Sequence, residues 1–418
     1  MTPTRKRRAR WLAYVLVLGP GLLAMSAGND AGGIATYAQA GASFKYDLLW
    51  LLFLLTFSLI VVQEMSARMG VVTHKGLSDL IRENFGARWT VLAMLAMTLA
   101  NFFVATADIA GVAASLQLFH IPTWVSVPLV SIGLLLLMIR GSYIMVEKGL
   151  LILTALFLAY PIAAFTVHPD WAEAFRTMLV PTVQWLGIGH ANYLPLAIGL
   201  IGTTIAPWMT FYLQASIVDK GVRRQDLPLQ RFDVIFGAIS ANVIAFFIIV
   251  TSARLWPQFS THNFANAGEA AEALRSLVHG AAPYLFGAGL FAASVLGTAA
   301  VPLTTAYAVT EAFGWERGLD NKLSQAPVFF GLLIGTIGLG AIVVMLTPVH
   351  LLMPLILFSQ VINGMLVPII LVFMVILCNR ARLMGAYTNS RTFNAIAWGT
   401  IILVTAMTIA YFVVTLLK

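Results

Sequence analysis

Charge is scarce in this chain of 418 residues. Only 10% of them are Asp, Glu, Lys or Arg, against about a quarter in a soluble globular domain. So few charged side chains cannot cover a water-facing surface when 60% of the residues are hydrophobic and the mean hydropathy is +0.88. Cysteine is nearly absent. The single Cys378 excludes an intramolecular disulfide and a cysteine-based metal cluster, and it reads as a packing residue. The seven histidines have no metal-ligand spacing, and neither His-Glu-x-x-His nor Gly-x-Ser-x-Gly occurs, so nothing points to an enzyme or to a resident cofactor. Strict apolar/polar alternation is also missing. Leu51 to Val62 and Leu92 to Ala105 are almost continuously apolar, which excludes the strands of a membrane barrel.

What is present is a series of apolar runs of about 20 residues, the length that crosses a hydrocarbon core. Eleven are expected, at 11–43, 46–69, 89–117, 122–139, 142–167, 191–218, 232–254, 282–312, 326–346, 350–378 and 393–417. The formal net charge of +8 invites a nucleic-acid partner until its distribution is followed. With the N-terminus inside, cytoplasmic segments hold Arg5 to Arg10, then Arg68, Lys75, Arg82, Arg88, Arg140, Lys148, Lys220, Arg223, Arg224, Arg231, Arg317, Lys322, Arg380, Arg382 and Arg391. This asymmetry sets the orientation of a multi-pass protein in the cell membrane, N-terminus cytoplasmic and C-terminus extracytoplasmic, and gives no evidence for nucleic acid. The basic N-terminal cluster resembles a secretion signal, but no small-residue cleavage site follows cleanly, so it is read as the start of the first helix.

Ala27-Gly28-Asn29-Asp30-Ala31-Gly32-Gly33 interrupts the first run. A carboxylate at membrane depth costs roughly 2.5 to 3.5 kcal/mol on insertion scales, so such residues usually face a cavity and mark an ion or substrate path. Flanking glycines free backbone carbonyls, which a membrane tolerates only where protein or a water-filled cavity covers them. Asp30 is therefore expected to hold an ion between two half-helices, Trp11 to Ser26 and Ile34 to Phe44; the alternative is a kink whose aspartate pairs with a neighbour. The sixth run breaks at Ala206-Pro207-Trp208, where proline deletes a donor and clashes with the preceding turn. Interrupted spans at corresponding positions of two halves point to a transporter's substrate site. The expected architecture is all-α and integral to the membrane: a LeuT-like 5+5 inverted repeat within one transporter domain. Residues 11–167 and 191–378 form the repeats, helices 1 and 6 are discontinuous, and 393–417 adds an eleventh helix. The protein is expected to work as a monomer, with the lipid bilayer and its cargo as partners. The connections 168–190 and 255–280 are expected to be the longest loops, and Glu269, Glu272 and His279 read as a solvated turn or an outer metal-collecting surface.

Gly19-Pro20-Gly21, Asp30-Ala31-Gly32-Gly33-Ile34-Ala35-Thr36, Ala40-Gly41 and Leu48-Leu49-Trp50 resemble the first helices of the Nramp divalent-metal transporters, whose hallmark is Asp-Pro-Gly-Asn. Ala206-Pro207, Asn242, Glu311-Ala312-Phe313 and Ser359-Gln360-Val361 extend the resemblance along nearly the whole chain. The resemblance implies a metal held at Asp30, Gly33, the carbonyl of Ala27, Ala206, the carbonyl of Thr203 and, in some states, Gln360. Two ligands of that pattern are missing, because Gly33 stands for an asparagine and Ala206 for a methionine. A thioether favours transition metals, whereas carboxylate, carbonyl and water suit Mg²⁺, Ca²⁺ and Mn²⁺. Magnesium also keeps several waters and asks for a wider site with fewer ligands. The pattern therefore resembles the magnesium-transporting branch related to Nramp. Met209 reads as core- or lipid-facing, or as a displaced sulfur ligand. Thr203, Thr204 and Thr210 either hold a hydrated ion's water or back-bond to their own helix.

In proton-coupled members, helix 6 histidines and an Asp-x-x-Glu pair on helix 3 carry the proton. Here those positions hold Trp208 and Gln214, and Asp108 followed by Gly111, so the relay is interrupted. Uptake of Mg²⁺ and Mn²⁺ driven by membrane potential is expected; the alternatives are a proton-coupled Mn²⁺/Fe²⁺ carrier and an amino-acid or amine carrier on the same scaffold. Asp108 either keeps a proton role or pairs with a neighbour such as Asn101. Glu147 and Lys148 read as anchors at the membrane surface.

Overall fold

The computed structural model describes residue 24 and residues 28–140, 157–181, 192–259, 264 and 282–416. Among them every regular element is helical. In chain order the principal helices are α1 (Ala31–Phe44), α2 (Leu49–Thr73), α3 (Leu77–Phe85), α4 (Ala87–Gln117), α5 (Thr123–Arg140), α6 (Ala159–Thr166), α7 (Trp171–Leu179), α8 (Tyr193–Thr204), α9 (Pro207–Asp219), α10 (Leu227–Ser252), α11 (Ala282–Phe313), α12 (Pro327–Leu346), α13 (Val349–Asn379) and α14 (Arg391–Leu416). Nine spans among the described residues are long and apolar enough to cross a bilayer, with α8 and α9 together making one. Their ends fall within a few residues of the boundaries read from hydropathy, except that the run expected at 232–254 belongs to a span of Arg224–Phe259. The expected first and fifth spans are described only from Gly28 and from Phe157 onward, so Ala27, Glu147 and Lys148 lie outside the described residues, as do Glu269, Glu272 and His279.

Two short helices lie in connections between the apolar runs, the second of them inside the expected loop 168–190. Residues 77–85 form α3, whose Leu77, Leu80 and Ile81 are buried while its charged face stays outward; it stops at Gly86, whose φ of 83° suits glycine. Residues 171–179 form α7, capped by the Asp170 carboxylate accepting from the Glu173 amide at 2.9 Å. Both are short amphipathic helices, which an apolar-run criterion passes over.

The spans pack through small residues that let backbones approach. A Cβ on Gly202 of α8 would lie 2.8 Å from Cα of Gly364 on α13 and closer still to the Gln360 carbonyl oxygen. Asn363 Nδ2 donates to the Gly202 carbonyl at 2.8 Å and locks the same crossing. Gly41 does this for α1, where a Cβ would sit 2.9 Å from the Ala253 nitrogen just past the end of α10. These crossings bring the start of α1, the α8/α9 break and the middle of α13 together.

Candidate functional site

Asp30 is the N-cap of α1, and its Oδ1 accepts from the Gly33 amide at 2.7 Å. The adjacent Ala31 amide donates to Asp108 Oδ1 of α4 at 3.1 Å. Two carboxylates, both buried, thus meet the positive end of one helix. Gly111 and Gly297 make room for this: a Cβ on Gly111 would strike the Ala31 side chain, and one on Gly297 of α11 would stand 2.5 Å from Asp108 Oδ1.

Gly28 opens the described segment before α1. Its amide donates to the Ala24 carbonyl at 3.1 Å, while its carbonyl accepts from the Thr203 hydroxyl at 3.5 Å. Asn29 is held by its Nδ2 donating to the Ala241 carbonyl of α10 at 3.1 Å. Across the site α8 ends at Thr204, Ile205 and Ala206 leave helical geometry, and Pro207 opens α9 at the first position, where its missing N–H costs nothing. Ala206 and Trp208 are buried.

The glycines differ from expectation. The unwound segment ends at Asp30, so Gly32 and Gly33 are helical and serve space rather than backbone freedom. A Cβ on Gly33 would meet the Thr203 hydroxyl at 2.7 Å and the Gly28 carbonyl at 3.1 Å. A Cβ on Gly32 would lie 2.5 Å from Cδ of Gln360. Gln360 therefore lies flat on the first turn of α1, buried, with its Oε1 lacking a hydrogen-bond partner among the described residues.

The remaining sequence candidates divide. Thr204 back-bonds to the Leu200 carbonyl at 2.7 Å and meets the Tyr37 hydroxyl at 3.0 Å; Thr210 back-bonds to Pro207 at 2.6 Å. Both therefore follow the back-bonding alternative, while Thr203 alone reaches across the break. Met209 is buried in the core. Gln214 lies away from Asp30, donating to the Lys75 carbonyl at 2.8 Å in the connection between α2 and α3. Asp108 does not pair with Asn101, which donates to Thr305 at 2.9 Å; the open N–H groups of α1 supply the partner instead. Cys378 is buried, as a packing residue would be.

Sequence reasoning missed the polar C-terminal half of α2. Glu64 is buried there between Arg68 at 3.0 Å and Arg231 of α10 at 2.7 Å, and Arg68 also donates to Asn389 at 2.6 Å and to the Tyr387 carbonyl. The available signal was Gln63-Glu64 and Arg68 inside an apolar run, at the i, i+4 spacing of a helical ion pair.

The donor set at the break is all oxygen, and among the described residues no group of three or more His, Cys, Asp or Glu gathers anywhere. Such a set suits a hard cation held by few carboxylates. Toward the C-terminal half of α1, a cavity of about 220 Å³ is lined by Thr36, Gly199, Phe264 and Val361 among others and opens beside the site.

A search against known proteins agrees with this geometry. The Nramp family, described as natural resistance-associated macrophage protein-like, matches residues 21–415. The divalent metal cation transporter MntH of Ralstonia nicotianae is 28% identical over 411 residues, 93% of this chain and 88% of that protein. Its counterpart in Klebsiella pneumoniae is 28% identical over 420 residues, 96% of this chain and 94% of that protein. In structure, a mutant of the Eremococcus coleocola manganese transporter superposes with a TM-score of 0.76 at 21% identity, covering 95% of this chain and 86% of that one. MhsT in complex with L-phenylalanine gives 0.62 at 15% identity, covering 95% and 98%. The two structural likenesses establish a LeuT-like fold, and with a family match running almost from end to end, this multi-pass membrane protein belongs to the Nramp family.

Proposed function

We propose that the chain is a secondary transporter of divalent cations, carrying Mg²⁺ and also Mn²⁺, each partly hydrated, past Asp30 at the α1 start and the α8/α9 break. The supporting observation is the all-oxygen pocket in which glycine and alanine stand at two ligand positions. Among the described residues, the Thr203 hydroxyl stands against Gly33, the Gln360 carboxamide against Gly32 and the Asp108 carboxylate on the Ala31 amide. Asp30 supplies the charge, the carbonyl of Thr203 and the carboxamide of Gln360 supply neutral oxygens, and the missing side chains leave room for water on the ion. Ala27 and its carbonyl belong to the proposed ligand set by resemblance.

Transport is uncoupled from protons in this reading. Trp208 and Gln214 cannot pass a proton on, and Asp108, which accepts from the Ala31 amide through Oδ1 alone, has Gly111 where the paired glutamate would stand. Two charges moving inward gain about 4.6 kcal/mol at 100 mV, enough for accumulation without a proton gradient. The alternative is a proton-coupled Mn²⁺/Fe²⁺ carrier; the relatives, a divalent metal cation transporter and a manganese transporter, favour its cargo but not its coupling. An amine carrier on this scaffold would need Asp30 as counter-ion and leaves the family match unexplained.

The test is competition of Mg²⁺ with Mn²⁺ and Ca²⁺ for uptake into liposomes, with and without a pH gradient. Mg²⁺ uptake that is lost in Asp30→Ala is expected, with no lumen acidification. Mn²⁺ flux indifferent to millimolar Mg²⁺ would reject the magnesium reading, and acidification would reject the uncoupled one.

A further inference from the structure

Gln63 of α2 is fully buried in the interior, and neither its amide nitrogen nor its amide oxygen has a hydrogen-bond partner among the described residues. A primary amide left open at both ends is a costly occupant of an apolar interior, since each unsatisfied group forfeits its solvation. Its position along the fold explains what it faces. Ser66 Oγ donates to the Thr210 carbonyl at 2.6 Å, and a Cβ on Gly70 would meet Gln214 Cγ at 3.3 Å. Both pairs have the same offset, so α2 and α9 run parallel in a fixed register. Gln63 lies seven residues before Gly70, two turns along the same stripe of α2, or about 10 Å. Seven residues before Gln214 is Pro207. The register therefore carries the Gln63 side chain to the α8/α9 break.

We infer that Gln63 is a further ion-site residue, whose amide oxygen accepts a hydrogen bond from a water retained on the dication. It faces Ala206-Pro207 from α2 as Gln360 faces Gly32 from α13, so two neutral carboxamides reach the site from different helices. Neutral acceptors suit the water protons of a hydrated ion, which point outward from the metal, and they add no charge that would strip the shell. The proline nitrogen has no N–H to offer, and neither amide atom of Gln63 is taken by a described residue, which leaves the amide open for this contact. The inference rests on the proposed partly hydrated cargo.

Gln63→Leu is the test, read as KM and Vmax for Mg²⁺ and Mn²⁺ uptake into liposomes beside the thermal midpoint of the purified protein. A water-mediated contact predicts KM raised about three- to ten-fold, more for Mg²⁺ than for Mn²⁺, with the midpoint unchanged or higher because an open polar group has been removed. Unchanged KM for both ions at an unchanged midpoint overturns the inference. Should the leucine variant unfold, Gln63→Glu decides: a site residue then gains affinity for the dication, and unchanged KM again overturns the assignment. Failure of the magnesium reading is distinguishable, because the wild-type protein then carries Mn²⁺ alone; a Gln63→Leu shift in KM for Mn²⁺ still supports the residue's place at the site, and its absence still refutes it.

Discussion

Gly32→Ala places a methyl group against Gln360 and so measures what that carboxamide does. The new Cβ would stand 2.5 Å from Cδ and 2.9 Å from Cγ of Gln360, with Nε2 nearer still. The backbone cannot give way, because α13 is held to α8 by Gly202 against Gly364 and by the Asn363 hydrogen bond to the Gly202 carbonyl. The far end of the Gln360 side chain must move instead. Overpacking of this kind costs about 1–3 kcal/mol, and replacing glycine in a helix returns about 1 kcal/mol, so the variant folds with a net loss of about 0–2 kcal/mol. If Gln360 Oε1 is a ligand, its withdrawal removes one oxygen from a charged cargo, on the scale of about 1.5–3 kcal/mol. KM for Mg²⁺ then rises about ten- to a hundred-fold. Uptake into liposomes measures it, with Gln360→Ala and the double variant completing the cycle. The two changes remove the same contact, so the double variant should be no worse than Gln360→Ala alone. Losses that multiply, or a Gly32→Ala protein with wild-type KM, would refute the reasoning.

Asp30→Asn keeps the cap on α1 but removes the charge, and uptake is expected to fall at least a hundred-fold while the thermal midpoint holds; uptake and a melting curve on the same preparation check both. An inside-negative potential of 100 mV should drive accumulation toward about two-thousand-fold at equilibrium, from two charges at about 2.3 kcal/mol each, with lumen pH constant by an entrapped dye. Glu64→Gln leaves Arg68 buried without its carboxylate and should destabilise the protein by about 3–5 kcal/mol, less whatever the Tyr387 and Asn389 contacts retain, seen as a lowered midpoint with KM near wild type in surviving protein. Gly202→Ala forces backbone against backbone at the α8/α13 crossing, so loss of folded protein on size-exclusion chromatography is the expected result.

The breaks were legible because their causes are local. Proline at 207 cannot sit inside a helix, and an aspartate among glycines cannot sit inside a membrane run without a partner, so both sites announce themselves one residue at a time. What the glycines accomplish was not legible. Gly32 and Gly33 read as flexible backbone, yet they are helical and their work is done by a missing Cβ, which depends on Gln360 and Thr203 arriving from α13 and α8. The same dependence hid the partner of Asp108: an aspartate two helical turns from Asn101 looks paired, but the open N–H groups of α1 outcompete a side chain already bonded to Thr305. Glu64 and Arg231 are 167 residues apart, and no periodicity connects them.

These failures share a direction that bears on selectivity. Two of the unread features, Gln360 against Gly32 and Thr203 against Gly33, are long-range contacts that bring neutral oxygens to the pocket; the charge of Asp30 is read from a single residue. Charge alone attracts any dication, so discrimination has to come from how many oxygens reach the ion and how much water is left on it. The place of a longer side chain at Gly33 is taken by the Thr203 hydroxyl, and Ala206 offers no side-chain donor, so both positions withhold a ligand from the ion. Restoring a sulfur by Ala206→Met should therefore contract the pocket as well as soften it, and the two effects separate by cargo: contraction lowers Mg²⁺ uptake, whereas softness raises the affinity for Mn²⁺ and Cd²⁺. A variant that gains Cd²⁺ binding while keeping wild-type Mg²⁺ uptake would show that width is not what selects the ion.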